Sequence, residues 1–115
     1  MNQRTIKFRA YDGIKVIPYA SQDKMGRLDV SWEGHDTELI LMQFTGLTDK
    51  KGVWIYEGDI INLDSWEPKV YQIAWDRGAF YIANEMLEEM GDIKYVERSE
   101  VIGNIYENGS LLKDK

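Results

Sequence analysis

The sequence predicts a mainly β protein with at most one short helix. Apolar and polar residues alternate in short runs, the pattern of strands whose side chains reach opposite faces of a sheet. Turn signals that contain glycine separate these runs, as at Asp12-Gly13 and at Asp76-Arg77-Gly78. The chain has 115 residues, of which 43% are hydrophobic, so it can bury one core, and it is too rich in aromatic residues to be disordered.

The N-terminal segment predicts a β-hairpin. Residues 5–11 and 14–19 are strand-like, and Asp12-Gly13 between them is a hairpin signal that requires a positive φ at Gly13. Three basic side chains accompany the first strand: Arg4, Lys7 and Arg9. We expect this basic face to be solvated, and a phosphate-binding patch is the alternative.

The next segment predicts two more strands. Residues 20–26 are polar and predict a loop, whereas residues 28–32 alternate like a half-buried strand. The turn at residues 33–36 contains the only histidine, His35, which we expect to be a polar turn residue rather than a metal ligand or catalytic group. Residues 37–45 are apolar on both faces, which predicts a central strand that links the N-terminal region to the rest.

A stretch punctuated by glycines, residues 44–63, organises the centre of the chain. Gly46 and Gly52 bracket a turn in which the Asp49 side chain can accept hydrogen bonds from its own backbone. The strand at residues 53–56 follows. Alternation puts Val53 and Ile55 on one face and Trp54 and Tyr56 on the other, and we expect Ile55 to point inward and Trp54 and Tyr56 to point outward.

A second turn, Glu57-Gly58-Asp59, leads to a strand at residues 59–63. An aspartate side chain in a turn commonly forms hydrogen bonds with nearby backbone groups, so we expect Glu57 and Asp59 to stabilise the turn. A carboxylate pair for acid–base or metal chemistry is the alternative.

The C-terminal part predicts a second hairpin and the single helix. Residues 64–68 form a loop, and strands at residues 69–75 and 79–83 meet at a turn with Gly78 in the left-handed region. Asn84 can cap a helix at residues 85–90 that Gly91 closes. The remaining expectations are strands at residues 93–96 and 100–106, a bulge or close approach at Gly103, and fraying of residues 109–115.

Three separated segments resemble the YopX family of small bacteriophage and prophage proteins. They are Ile6–Asp12, the central run from Leu41 to Ile60, and Val101–Asn108. The central run carries the family's Phe44-Thr45-Gly46-Leu47 and Tyr56-Glu57-Gly58-Asp59 motifs. Val53 and Trp54 depart from the family, which usually has polar residues there. The resemblance implies an SH3-like barrel in the C-terminal part and implies no activity.

Strand spacing and this resemblance together predict three regions. They are an N-terminal β region at 1–45, an SH3-like barrel at 46–108 and a tail at 109–115. No stretch is apolar enough to span a membrane, and no N-terminal run resembles a signal peptide, so we expect the protein in the host cytoplasm.

Composition narrows the function. The chain has no cysteine, which excludes disulfides and thiolate metal sites. The net charge is −6, and residues 46–115 carry fourteen acidic against eight basic side chains, so a nucleic-acid partner is not expected. The sequence has no glycine-rich phosphate loop and no Ser-His-Asp pattern. We therefore predict no catalytic residue, no cofactor and no metal ligand.

The leading hypothesis is a non-catalytic interaction module that binds a protein partner or a second copy of itself. Its candidate surface consists of the aromatic residues Trp54, Tyr56, Trp75 and Phe80. Trp54 could instead be covered by the N-terminal hairpin of its own chain, and Trp75 and Phe80 could be rim packing. A hydrolase or nuclease that uses carboxylates such as Asp59, Asp64 and Asp76, and an acidic DNA mimic, remain open alternatives.

Overall fold

The computed structural model describes residues 7–21 and 40–113, and its architecture confirms a mainly β protein. The described residues form nine strands and two short 3₁₀ helices. The strands are β1 (Lys7–Tyr11), β2 (Val16–Ser21), β3 (Ile40–Thr48), β4 (Trp54–Tyr56), β5 (Asp59–Asn62), β6 (Val70–Asp76), β7 (Ala79–Ala83), β8 (Glu89–Asp92) and β9 (Glu100–Asn104). The 3₁₀ helices are Ile93–Arg98 and Gly109–Lys113. Neither is long and apolar enough to cross a membrane.

The first sheet has the antiparallel order β2-β1-β3-β4. The predicted hairpin joins β1 to β2, and Asp12 Oδ1 accepts from the backbone N–H groups of Ile14 and Lys15. Gly13 has the expected positive φ of 97°, a backbone conformation that residues with a side chain rarely adopt. The prediction of a central strand that links the N-terminal region onward is confirmed, because β3 pairs with β1 and with β4.

The second sheet has the order β8-β7-β6-β5-β9. A two-residue turn joins β6 to β7, and both turn residues, Arg77 and Gly78, have positive φ. This is the geometry that suits the right-handed twist of a hairpin. The register between β5 and β9 shifts beside Gly103, which confirms the predicted bulge.

Two hydrophobic clusters hold the sheets. The larger contains seven buried side chains: Ile55, Ile61, Leu63, Tyr71, Ile73, Ile82 and Val96. The smaller is built from Met42, Phe44 and Tyr56. Because β4 contributes Ile55 to one cluster and Tyr56 to the other, this three-residue strand lies between both cores. The prediction that residues 37–45 are covered on both faces is wrong at Leu41, which is exposed.

A closed SH3-like barrel is not confirmed. Within the described residues, β8 and β9 are the outer strands of their sheet, and no pairing joins them. The chain between these strands forms the 3₁₀ helix Ile93–Arg98, which packs near β3 and β7 instead of continuing the ladder.

Three local predictions for the C-terminal part are wrong. The helix at residues 85–90 is absent, because Asn84 Oδ1 accepts from the N–H groups of Met86 and Glu88 and so bends the chain into a turn. The strand at residues 93–96 is the 3₁₀ helix, whose N-cap is Asp92. Residues 109–113 form the second 3₁₀ helix rather than a frayed tail. The predicted strand at residues 28–32 and the His35 turn lie outside the described residues.

Candidate functional site

Asp49 is a structural residue that ties the central stretch to the second sheet. Its Oδ1 accepts from the N–H groups of Lys51 and Val53, at 2.8 and 2.9 Å, which confirms the predicted turn. Its Oδ2 accepts from Val101 of β9 at 2.9 Å. Burial on its own would raise the pKa of Asp49, but the three N–H donors outweigh burial and hold the pKa below its ordinary value.

Asp59 is the second structural aspartate and lies at the junction of the two sheets. Its Oδ2 accepts from the Tyr56 N–H at 2.8 Å, as expected for a turn aspartate. Its Oδ1 accepts from Arg9 Nη2 at 2.5 Å, an ion pair between β5 and β1. Burial raises the pKa of Asp59, and the charge of Arg9 and the Tyr56 N–H reduce that rise. The expectation of a solvated basic strand is thus wrong for Arg9, whose side chain is only 14% exposed.

The carboxylates proposed for a hydrolase do not share a site. Asp59 is paired with Arg9, Asp64 lies 3.9 Å from Lys50, and Asp76 lies 3.6 Å from Arg77. Among residues 7–21 and 40–113, no three His, Cys, Asp or Glu side chains are grouped so that they could hold a metal ion. The second carboxylate of the predicted turn pair, Glu57, accepts from the Gln43 N–H, which is a structural bond between the turn and β3.

The structure divides the predicted aromatic surface into two parts, and in the β4 part Tyr56 is buried and Trp54 is partly covered. Trp54 is 39% exposed, but its ring stacks on Phe44 with centroids 5.1 Å apart. The ammonium of Lys7 lies 3.6 Å from the Trp54 ring centroid, so β1 of the same chain covers part of it. The expectation that Tyr56 points outward is wrong: it is 6% exposed and packs on Phe44 in the smaller core.

The β6–β7 half of the surface is open. Trp75 and Phe80 are directly opposite each other across the hairpin, with ring centroids 4.6 Å apart and an edge-to-face angle of 63°. Phe80 packs partly against the larger core, whereas Trp75 is 42% exposed. The pair therefore holds one indole in place at the end of the sheet and leaves much of it accessible.

Beside this aromatic pair lies an open cleft of about 600 Å³. It forms because the register between β7 and β8 begins only at Tyr81, so that Ala79 and Phe80 extend past the end of β8. The apolar part of its lining consists of Phe80, Tyr81, Leu87 and Ile93. Tyr81 also holds one wall in place, because its hydroxyl donates to the Leu87 carbonyl at 3.2 Å.

The charges at this cleft are mainly negative. The acidic residues among its described lining are Asp76, Glu89 and Asp92, and the one basic residue is Arg77. Arg77 lies beside Asp76 at the turn, so one of the three carboxylates has a nearby cation. We call this feature the aromatic–acidic cleft.

A second groove, of about 880 Å³, lies elsewhere on the same sheet. It runs between Asn62 at the end of β5, the turn after Asn84, and Leu112 of the last 3₁₀ helix. Its lining includes Glu67, Glu85 and Lys69 but no aromatic residue. The Asn62 Oδ1 atom is buried and has no hydrogen-bond partner among the described residues. This groove therefore offers a ligand one free hydrogen-bond acceptor among its described residues, Asn62 Oδ1, and no aromatic side chain.

Sequence reasoning named Phe80 and Asp76 of the aromatic–acidic cleft but missed its other lining residues, and Trp75 packs on Phe80 beside the cleft. Leu87 lies on a predicted helix that does not form, and its φ of 64° belongs to the Asn84 turn. The sequence analysis assigns no role to Asp92, although an aspartate just before a helical segment is a capping signal. Its side chain accepts from the Lys94 N–H.

These two sheets define a small antiparallel β protein with an open cleft at the end of one sheet. The chain belongs to the YopX family: the family model described as YopX protein matches residues 9–113. The fold is also similar to the crystal structure of protein EF1440 from Enterococcus faecalis. That likeness has a TM-score of 0.65 and 28% sequence identity, and it covers 96% of this chain and 99% of that chain. No curated protein matches the chain.

Proposed function

We propose that this protein is a non-catalytic interaction module of bacteriophages and prophages that acts in the host cytoplasm. A protein partner binds it at the end of the β6–β7 hairpin, over Trp75 and the adjoining aromatic–acidic cleft. The phage setting follows from the family resemblance, and the binding role follows from the surface.

The exposed indole of Trp75 is the observation that carries the proposal. Aromatic anchors beside a concave surface are typical of the few residues that dominate a protein interface. The edge-to-face contact with Phe80 fixes the indole before binding, so little side-chain entropy is lost when a partner covers it. Trp54 has a similar exposed fraction and also stacks on a phenylalanine, but the ammonium of Lys7 already lies over its ring, so Trp54 supports binding less well.

A hydrolase is the weaker candidate. Catalysis by carboxylates and a metal ion requires two or three of them to converge on one cation. Asp59, Asp64 and Asp76 each lie beside a different basic side chain, and Asp59 is occupied in joining the sheets.

Affinity capture from a lysate of infected host cells tests the proposal. The tagged wild type is compared with Trp75→Ser and with Trp54→Ser, a matched control on the other tryptophan. We expect a host or phage protein that is retained by the wild type and by Trp54→Ser and lost from Trp75→Ser. Thermal melting of each variant checks that it is folded. A partner whose retention is unaffected by Trp75→Ser would contradict binding at this end of the hairpin.

A further inference from the structure

We infer that the partner binds through an extended segment, which adds a short strand to the open edge of β6 and places an aromatic or β-branched side chain on the Trp75 indole. This inference rests on the proposed function and adds the binding geometry and the chemistry of the segment. It is supported by the unpaired backbone groups of Trp75, by the position of the Trp75 ring beside Phe80, and by the protection of other strand edges.

The edge of β6 that faces β5 is open near the hairpin turn. The pairing of β5 with β6 extends only as far as Gln72, whereas β7 pairs with β6 as far as Asp76. Just before β5 the chain turns away at Gly58, whose N–H donates to the Ile73 carbonyl at 2.7 Å. Among the described residues, those from Ala74 to Asp76 therefore have a strand partner on the β7 side only.

Trp75 directs its backbone N–H and carbonyl towards this open side. Backbone groups alternate in direction along a strand, so those of Trp75 point the same way as the Ile73 carbonyl, which bonds Gly58 on the β5 side. Trp75 and Phe80 are then a pair without mutual hydrogen bonds, in which side chains lie close, and this agrees with the 4.6 Å between their ring centroids. Among the described residues, no hydrogen bond to either backbone group of Trp75 replaces the missing β5 partner. Both groups are thus available to an added strand, which is a common mode of peptide binding.

The Trp75 ring determines which side chain the added strand should present. In an antiparallel pair, the residue directly opposite Trp75 has its side chain on the same face of the sheet. Phe80 already contacts the indole edge-to-face from the β7 side, and Trp75 remains 42% exposed. A side chain on the other side of the indole would complete a row of three across the sheet. Aromatic and β-branched residues form the most favourable cross-strand pairs with an aromatic ring.

Three other strand edges are protected against strand addition. On β8, Glu89 and Asp92 are exposed charged residues, which discourage pairing at an edge. On β9, the N–H groups of Val101 and Asn104 donate to an aspartate and an asparagine side chain outside the strand. β2 contains Pro18, which has no N–H to donate. The edge beside Trp75 differs from these three, because its free N–H and carbonyl belong to a residue with an exposed aromatic ring.

A second copy of this chain fits the open edge poorly. Two antiparallel β6 edges paired at Trp75 would bring Arg77 of the copy opposite Ile73. That place is occupied by Gly58, which bonds the Ile73 carbonyl. A segment that pairs only along Ala74–Asp76 and then leaves the sheet at the Gly58 turn avoids this clash, so a separate extended segment is the better occupant.

Amide hydrogen exchange of the free full-length chain tests whether the edge is open. Ala74 is the internal control, since its N–H points to β7 by the same alternation. We expect the Trp75 N–H to exchange at least about tenfold faster than the Ala74 N–H, because exchange is slowed by stable hydrogen bonds. Equal protection of the two amides would overturn the inference, since the Trp75 N–H would then already have a partner.

Selection from a random peptide library supplies a defined ligand. Twelve-residue peptides are displayed and selected on the immobilised full-length chain, then counter-selected on Trp75→Ser, which removes the ring and keeps the backbone edge. We expect the enriched peptides to share an aromatic or β-branched residue within a run of strand-forming residues. Binding of a synthetic peptide of this kind should protect the Trp75 N–H from exchange.

N-methylation of single residues in a selected peptide separates strand pairing from simple contact with the indole. Methylation of the residue opposite Trp75 removes the N–H that would donate to the Trp75 carbonyl, and we expect it to weaken binding about tenfold. Methylation of the next residue, whose N–H points away from β6, should weaken binding less than about threefold. Loss of the ring in Trp75→Ser should weaken binding of the unmethylated peptide at least about tenfold.

Several further outcomes overturn the inference. They are a selection without enrichment, N-methylation effects that do not alternate, a Trp75 N–H that the peptide leaves unprotected, and a dimer in sedimentation that Trp75→Ser dissociates. If lysate capture depends on Trp75 while one of these results is found, the proposed function stands and the added strand is wrong. If capture is insensitive to Trp75, the proposed function fails first.

Discussion

Arg9 of β1 and Asp59 of β5 form a largely buried ion pair that joins the two sheets. The guanidinium also lies 4.5 Å from the Tyr56 ring centroid, and Asp59 accepts from the Tyr56 N–H. The two residues are 50 positions apart in the chain, so this contact closes the N-terminal hairpin onto the C-terminal sheet. Three residues thus form one polar connection beside the smaller core.

Removal of one partner should destabilise the fold strongly. Arg9→Met leaves the Asp59 carboxylate buried without its cation, and breaking a buried pair typically costs about 3–5 kcal/mol. Lys15→Met is the matched control, since Lys15 is an exposed basic residue on the same hairpin and surface changes cost less than about 0.5 kcal/mol. Urea unfolding measures both. Similar stabilities for the two variants would show that the ion pair does not hold the sheets.

The two buried aspartates predict opposite responses to acid. The pKa of Asp49 is below its ordinary value of 3.8, so its contribution to stability is present above 3.8 and is lost as pH falls through the folded pKa. The pKa of Asp59 is raised above 3.8, so ionisation of Asp59 lowers stability as pH rises from 3.8 through the folded pKa.

Replacement of each carboxylate by its amide separates the two effects. Asp49→Asn should lose less stability than the wild type on acidification below 3.8. As the pH falls towards 3.8, protonation of Asp59 should add to the stability of the wild type. Asp59→Asn should lack this contribution. Urea unfolding of the three proteins at a series of pH values gives the slopes. Parallel slopes in all three would contradict both assignments.

Two glycines with positive φ should differ in their tolerance of a side chain. Gly13 has open space where a Cβ would stand, so Gly13→Ala should cost only the backbone strain of about 1–2 kcal/mol. A Cβ at Gly58 would lie 3.2 Å from Met42 Sδ and close to Tyr106 and Ile105. Gly58→Ala should therefore cost more than Gly13→Ala. An equal loss in thermal or urea unfolding would mean that the smaller core adjusts around the added methyl group.

The two aromatic residues of β4 should differ in how much stability is lost when each is replaced by alanine. Tyr56→Ala removes a buried ring and should cost about 3–5 kcal/mol, the range for large aromatic deletions in a core. Trp54→Ala should cost clearly less, because part of its surface is already in water. Sedimentation of Trp54→Lys adds a separate test. If this variant converts an oligomer into a stable monomer, Trp54 lies at a contact between copies rather than being covered by its own hairpin.

Local chemistry explains which parts of the fold the sequence could predict. The Gly13 and Gly78 turns, the Asp49 turn and the Asp59 turn all depend on residues a few positions apart, and all are present. The segment at residues 85–90 has helix-forming residues, but Asn84 can cap either a helix or a turn, and six residues form only a marginal helix. Pairing of β8 with β7, which is a tertiary interaction, favours the turn over the helix.

Long-range contacts explain what the sequence could not predict. The sequence predicts a solvated face for Arg9 because its partner is 50 residues away, and alternation alone gives no sign that a sheet covers that face. Alternation predicts an outward Tyr56 for the same reason, since the residues that cover its ring, Phe44 and Arg9, lie elsewhere in the chain. The cleft beside Trp75 depends on where β8 ends, which Asp92 decides by capping a 3₁₀ helix.

Site-specific photo-crosslinking in infected cells tests the interaction surface most directly. A photo-reactive amino acid replaces Ala79, an exposed residue that lines the aromatic–acidic cleft, and in a control it replaces Ile102, an exposed residue of β9. We predict a covalent adduct with a partner protein from position 79 and none from position 102. Adducts from position 102 alone, or from neither position, would contradict binding of a protein partner at this cleft.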